Sequence, residues 1–228
     1  MIDLKVNDLE VGYPGLPAPV LAIDSFDLPA GGRLAVTGAS GSGKSTFVNV
    51  ICGLQALKSG SVRWAGTELS GLSESRRDRW RGAHVGLVMQ DFHLFEGLSA
   101  LDNILLPARL SGAAGTGTVE RARHLIETVG LSRPDQKVET MSRGEMQRVA
   151  VARAVLRKPG VVVADEPTAS LDVESGAQVA DLLLSIADQE KCTLIVVSHD
   201  ERLIGRFDRR MQLSAGRIQS AQLATEEA

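Results

Sequence analysis

Apolar and polar residues alternate from residue 2 to 11, where Ile2, Leu4 and Val6 interleave with Asp3 and Lys5. That period of two predicts a half-buried strand, and a second strand is expected near 20–28. Arg33–Thr37 reads as a short apolar strand running straight into a Gly/Ser-rich stretch, after which Phe47, Val48, Val50, Ile51 and Leu54 recur at helical spacing up to a turn at 58–60. His84–Gln90 reads as a strand. Leu101–Leu110 and Val119–Leu131 read as helices joined by a flexible link, Ser111–Gly117. A further helix is expected from Glu145 to about Lys158, with Val149, Ala152 and Leu156 on its apolar face. Residues 161–164 and 193–197 are nearly continuous apolar runs separated by a helix at about 174–189. Such strands joined through a helix indicate a parallel sheet covered on both faces. A strand at Arg210–Leu213, a turn at Ala215-Gly216 and a loose polar tail, 221–228, complete the reading. No internal repeat and no long linker interrupts the chain, so one domain over 1–228 is expected.

Composition narrows the class without naming a chemistry. The 228 residues carry Lys+Arg 25 against Asp+Glu 28, with 43% hydrophobic and 23% charged residues. These values suit a soluble globular chain and exclude collagen-like, disulfide-scaffold and disordered classes. The net charge of −3 argues against blanket neutralisation of nucleic-acid phosphates, and no nucleic-acid partner is expected. The longest apolar runs fall far short of the roughly 20 residues a spanning helix needs. The first residues hold no apolar stretch of the kind export signals use. Cys52 and Cys192 sit in separate apolar segments, as small core residues of a reducing compartment do. A cytosolic chain is expected.

Chemistry enters at Gly38-Ala39-Ser40-Gly41-Ser42-Gly43-Lys44-Ser45, followed by Thr46. This is the phosphate-loop pattern in its proper strand–loop–helix context. Glycines let successive backbone N–H groups turn toward a polyphosphate, and the following helix aims its positive end at the same anion. Lys44 is expected to bridge the β- and γ-phosphates of ATP or GTP, and the Ser45 hydroxyl to ligate Mg²⁺. A second signal is the apolar strand 161–164 ending in Asp165 and Glu166, then Pro167. Neighbouring strand residues face opposite sides, so the two acids divide their work. Asp165 suits a second-shell contact to Mg²⁺, and Glu166 suits polarising the attacking water as general base.

Three more segments occur in order: Met141-Ser142-Arg143-Gly144-Glu145-Met146-Gln147-Arg148, then Ser170-Leu171-Asp172, then Val197-Ser198-His199-Asp200. With the two motifs above, the set resembles the nucleotide-binding subunit of ATP-binding-cassette (ABC) transporters, from Tyr13 to the last strands. Val88–Phe95 and Leu101–Ile104 look most like the lipoprotein-release and macrolide-efflux branch. The resemblance implies an α/β phosphate-loop core, a mostly parallel sheet with flanking helices, carrying an antiparallel β subdomain and a helical subdomain at about 91–158. It implies Gln90 as the glutamine that touches Mg²⁺ and water where the membrane subunit docks. It also implies His199 as a γ-phosphate contact, Asp172 as part of a loop crossing to a partner subunit, and Tyr13 as an aromatic stacked on adenine. An ordinary surface tyrosine is the other reading of Tyr13.

The family's signature, commonly Leu-Ser-Gly-Gly-Gln or Leu-Ser-Gly-Gly-Glu, is altered here by Met141 and by Arg143 at the first glycine. Ser142-x-x-Glu145 before a helix is also a capping box, and its helix N-terminus suits a γ-phosphate, with Gly144 between. Arg143 either adds positive charge beside that phosphate or obstructs its approach. In the family one subunit's signature covers the other's phosphate loop, which implies a homodimer with two sandwiched Mg·ATP. The leading expectation is an ATP-hydrolysing subunit coupled to a separate integral-membrane protein, lying peripherally on the cytoplasmic face of the inner or plasma membrane. It would drive export, extraction of a lipid-linked cargo or mechanical transmission. The alternative is a regulatory module whose ATP-dependent dimerisation matters more than turnover. Phe92, Leu94 and Phe95 read either as a docking groove or as core of the helical subdomain.

Overall fold

The computed structural model describes residues 1–223. Two sheets share one body. β2 (Leu21–Leu28), β1 (Leu4–Val11), β4 (Ser59–Trp64) and β5 (Thr67–Glu68) form an antiparallel sheet in the order β2-β1-β4-β5. The second sheet runs β10-β9-β3-β8-β7-β6, with β3 (Arg33–Thr37), β6 (Val85–Val88), β7 (Val161–Asp165), β8 (Thr193–Val197), β9 (Arg209–Ser214) and β10 (Arg217–Leu223). Every pairing in it is parallel except the β9–β10 hairpin at one edge.

The period of two along the central strands explains why this sheet is buried on both faces. Val161, Val163, Ile195 and Val197 pack with α1 (Lys44–Ile51) and the antiparallel sheet. Val162, Ala164, Leu194 and Val196 pack into the other core, with α3 (Ala100–Leu110), α4 (Thr116–Thr128), α5 (Arg143–Val155) and α6 (Val173–Gln189). Fully buried side chains such as Phe47, Leu34 and Ile104 are each worth about 1.5–3 kcal/mol relative to exposure. Helices α3, α4 and α5 pack on one another, and Arg121 ties them to the core edge. Its guanidinium donates to the carbonyls of Val155 and Leu156 and pairs with Glu190 at 2.8 Å.

Several expected boundaries shift. The expected strand at His84–Gln90 is shortened to β6, because His84 closes a helix that the apolar periodicity did not reveal, α2 (Glu74–His84). Of its eleven residues only Trp80 is buried, against the Trp64 ring at 6.5 Å. β4, β5 and the short α7 (Glu201–Ile204) were also not expected. Helix α4 begins at Thr116, not Val119, and ends at Thr128, so the link after α3 is short. α5 starts at Arg143, two residues early, because Ser142 already caps it. Residues 221–223 of the expected loose tail are the end of β10, and 224–228 lie outside the described residues.

Candidate nucleotide site

Four loops that leave the C-terminal ends of adjacent parallel strands meet over one edge of the sheet, where ligands of open α/β folds bind. They are Gly38–Gly43 after β3, Met89-Gln90 after β6, Glu166 after β7 and Ser198-His199 after β8. Between them lies a cleft of about 520 Å³ lined by Gly38–Thr46, Gln90, Asp165, Glu166, His199 and Val20. Strand ends are locked beneath it: Glu166 N–H donates to the Val197 carbonyl at 2.8 Å, and Ser198 N–H to the Val36 carbonyl at 3.1 Å.

The phosphate loop needs its glycines at two points. Gly43 caps α1 at φ 102°, and a Cβ there would stand 2.9 Å from the Val20 carbonyl. Gly38 has φ 146°, and a Cβ would stand 2.3 Å from the Leu213 carbonyl oxygen and 2.6 Å from Ser42 Oγ. Neither clash can relax, because each carbonyl belongs to ordered backbone. The loop is braced from outside by Gly216 N–H donating to the Ser42 carbonyl at 3.1 Å. Lys44 opens α1 and its ammonium donates to the carbonyls of Gly38 and Ala39, at 2.7 and 3.0 Å. A concave backbone, a helix N-terminus and a cation thus converge, the arrangement that binds phosphate.

Asp165 shares its strand face with Val161 and Val163 and so points toward α1, while Glu166 turns away in a left-handed conformation, φ 48°. Burial pushes the Asp165 carboxyl up from its ordinary value, the Glu166 charge pushes it further, and Lys44 partly opposes both. Glu166 is 15% exposed, and His199 Nδ1 approaches its Oε2 at 2.9 Å. The pair meets the distance of a charge contact, but the alignment is too poor for a hydrogen bond, and that oxygen has no hydrogen-bond partner among the described residues. A left-handed, non-glycine residue with an unsatisfied buried acceptor is the local strain that active sites store. His199 is exposed, between Ser198, whose Oγ accepts from Asp200 N–H at 3.0 Å, and the start of α7.

The remaining candidates lie elsewhere, in a second constellation. Ser142 Oγ accepts from Glu145 N–H at 3.2 Å, and Glu145 Oε2 accepts from Ser142 N–H at 2.9 Å, so the capping box expected from sequence is present. Asp172 caps α6, accepting from Ser175 N–H at 2.9 Å and Ser175 Oγ at 2.7 Å, which holds its carboxyl below the usual range. A Cβ on Gly144 would lie 3.5 Å from Ser175 Oγ, so the two helix N-termini are neighbours. Ser142, Gly144, Glu145 and Asp172 do not line the cleft. Nor does Tyr13, whose hydroxyl donates to Gln55 Oε1 at 3.0 Å on the surface. The apolar contact the sequence did not flag is Val20, which carries no motif, only an apolar side chain ahead of β2. Of the aromatic cluster after Gln90, Phe92 is core and Leu94 packs against it, while Phe95 is 57% exposed.

With this geometry in place, comparison with known proteins decides the family: the ABC transporter family matches residues 21–169. The chain belongs to that family. It is an ATP-hydrolysing cassette of the transporter type. A lipoprotein-releasing system ATP-binding protein, LolD of Hydrogenovibrio crunogenus, is 39% identical over 216 residues, covering 93% of this chain and 94% of that protein. The ABC transporter ATP-binding protein YbbA of Escherichia coli is 43% identical over 190 residues, covering 83% of each. Among solved structures, the ABC MJ0796 in a dimeric post-hydrolysis state bound to ADP and Pi superposes with a TM-score of 0.88. It is 28% identical and covers 97% of this chain and 99% of that one. No helix among the described residues is long and apolar enough to cross a membrane.

Proposed function

We propose that two copies of this cassette pair head to tail around two Mg·ATP and, on hydrolysis, drive a separate integral-membrane subunit. One observation carries the reading: the chain holds two constellations suited to phosphate that do not meet. The cleft has the phosphate loop, carboxylates, Gln90 and His199, whereas the capped N-termini of α5 and α6 lie outside its lining. Each is half of a site, and a second copy supplies the complement. The dimeric, ADP-and-Pi-bound state of MJ0796 supports this pairing.

Within the cleft, Gly38–Gly43 N–H groups and Lys44 hold the β- and γ-phosphates, and Thr46 stands beside them at the start of α1. The Ser45 hydroxyl, Gln90 amide oxygen and Asp165 carboxylate are hard oxygen donors of the kind Mg²⁺ takes. Asp165, pushed up by burial and by Glu166, is the group a cation would relieve. Mg²⁺, when bound, neutralises charge building on the phosphates. Glu166 accepts the proton of the attacking water, and His199 orients that carboxylate and the γ-phosphate edge. Val20 gives the cleft its apolar contact, and Tyr13 lies outside it. From the partner, Ser142, Gly144 and the N-terminus of α5 meet the γ-phosphate, with Glu145 holding Ser142 in place and Asp172 at the crossing loop.

The relatives' names, a lipoprotein-releasing ATP-binding protein among them, support a membrane-subunit partner and a place on the cytoplasmic face. Phe95, the exposed aromatic beyond Gln90, is the side chain offered to it. The helices α3–α5 constitute the proposed helical subdomain of a single nucleotide-binding domain over 1–228. The test uses Glu166→Gln with saturating Mg·ATP. Sedimentation should show a dimer and turnover should fall about 10²–10⁴-fold; a chain that stays monomeric refutes the sandwich. Tagged Glu166→Gln should also draw an integral-membrane protein from detergent-solubilised native membranes, and recovery of soluble proteins alone would favour the regulatory module.

A further inference from the structure

Phe92 and His93 are consecutive non-glycine residues in the left-handed conformation, φ 59° and 47°. Such a pair persists only where its surroundings hold it. Arg153 of α5 donates to the carbonyl oxygens of both, at 2.6 Å to His93. Burial lowers the Arg153 pKa from its usual value, and it stays charged. At the other end of the same helix, the Arg143 guanidinium stands 5.5 Å from the centre of the Phe92 ring, within cation–π range. Buried Asn103 of α3 closes the turn, accepting from Phe95 N–H at 2.7 Å and donating to the Phe95 carbonyl at 3.1 Å. Gln90, two residues before this turn, lines the nucleotide cleft; Phe95, two residues after it, is exposed.

We propose that Arg143 and Arg153 are positioning residues that fasten the 90–95 segment to α5. The α5 N-terminus, the cleft glutamine and the exposed Phe95 then shift as one body when a partner's nucleotide engages Ser142. Arg143 accordingly neither charges nor obstructs the γ-phosphate approach, because Phe92 holds its guanidinium aside. A glycine at 143 has no side chain to make this contact. The consequence for coupling rests on the head-to-tail reading; the fastening itself does not.

The experiment is amide hydrogen exchange on the full nucleotide-free chain, followed by steady-state ATPase kinetics. Arg143→Gln should raise exchange across 91–96 by about two- to fivefold, the scale of an exposed cation–π contact. Phe92→Leu should do the same, and the double variant no more than either alone. Arg143→Lys should restore part of the protection, which keeps the test sound even where Phe92→Leu disturbs the core. In turnover, Arg143→Gln should lower kcat with KM for ATP unchanged. Wild-type exchange in Arg143→Gln, or additive effects of the two substitutions, overturns the proposal. So does a fall in kcat without a change in exchange, since the arginine would then act on nucleotide directly. A chain that shows the fastening but stays monomeric as Glu166→Gln with Mg·ATP refutes the sandwich and leaves the fastening intact.

Discussion

Gly38 and Gly41 belong to one loop and both have positive φ, yet alanine at each should have very different consequences. At Gly41 (φ 76°) a Cβ meets nothing within 4 Å. Only backbone strain is added, about 1–2 kcal/mol for an L residue in the left-handed region. At Gly38 the Cβ would sit 2.3 Å from the Leu213 carbonyl and 2.6 Å from Ser42 Oγ. The first is fixed in the β3–β9–β10 sheet, and the second is buried within the loop. Overpacking of this kind adds about 1–3 kcal/mol, for a total of about 2–5 kcal/mol. The loop can escape that strain only by opening, which would carry its N–H groups off the phosphate. Urea unfolding of both variants, compared at equal m, reads the stability gap. Calorimetric titration with ATP reads the binding loss, expected for Gly38→Ala and small for Gly41→Ala. Equal stability of the two variants together with wild-type ATP affinity in Gly38→Ala would refute the geometry argued for this loop.

Two further outcomes follow from carboxylates. Asp165 has a raised folded pKa, so its ionised form is disfavoured in the fold and it detracts from stability at neutral pH. Asp165→Asn should therefore unfold at equal or higher denaturant than wild type at pH 7, while losing the Mg²⁺ dependence of nucleotide binding; a less stable variant contradicts this. Glu145 is the reverse case: acceptance from Ser142 N–H, ahead of its other contacts, lowers its pKa from 4.5. Its contribution is present above that value and is lost as pH falls through the folded pKa. Ser142→Ala should cost about 1 kcal/mol yet keep most of the decline of stability with acid below pH 4.5, because the backbone N–H at 142 still holds the carboxylate, whereas Glu145→Gln should flatten that decline, as followed by urea midpoints from pH 6 to 3.

How much was legible in the sequence depended on whether a segment's role showed in its own residues. The phosphate loop, the acids at the end of β7 and the histidine after β8 each sit between strongly patterned elements, and the structure brings them to one cleft. α2 was illegible because its four arginines hide the period: Trp80 alone is buried, and the helix is held by Arg77 and Arg81 donating to the Leu72 and Gly53 carbonyls. β4 reads as a turn because Ser59-Gly60-Ser61 opens it. Gly60 presses against Asp8, where the register with β1 slips. Val20 bears no chemistry that a motif could flag. The placement of the Arg143 guanidinium beside Phe92, fifty-one residues away, is likewise revealed by no local pattern.

The separation of the cleft from the α5 and α6 N-termini has a genetic consequence. In a head-to-tail pair, no site belongs to one polypeptide. Chains broken in the phosphate loop and chains broken at Ser142 would each form inactive pairs with themselves. Mixed together, they would assemble one wholly intact site opposite one doubly damaged site. Two null alleles of this gene should therefore complement each other when the lesions fall in opposite constellations. They should fail to complement when both fall in the same one.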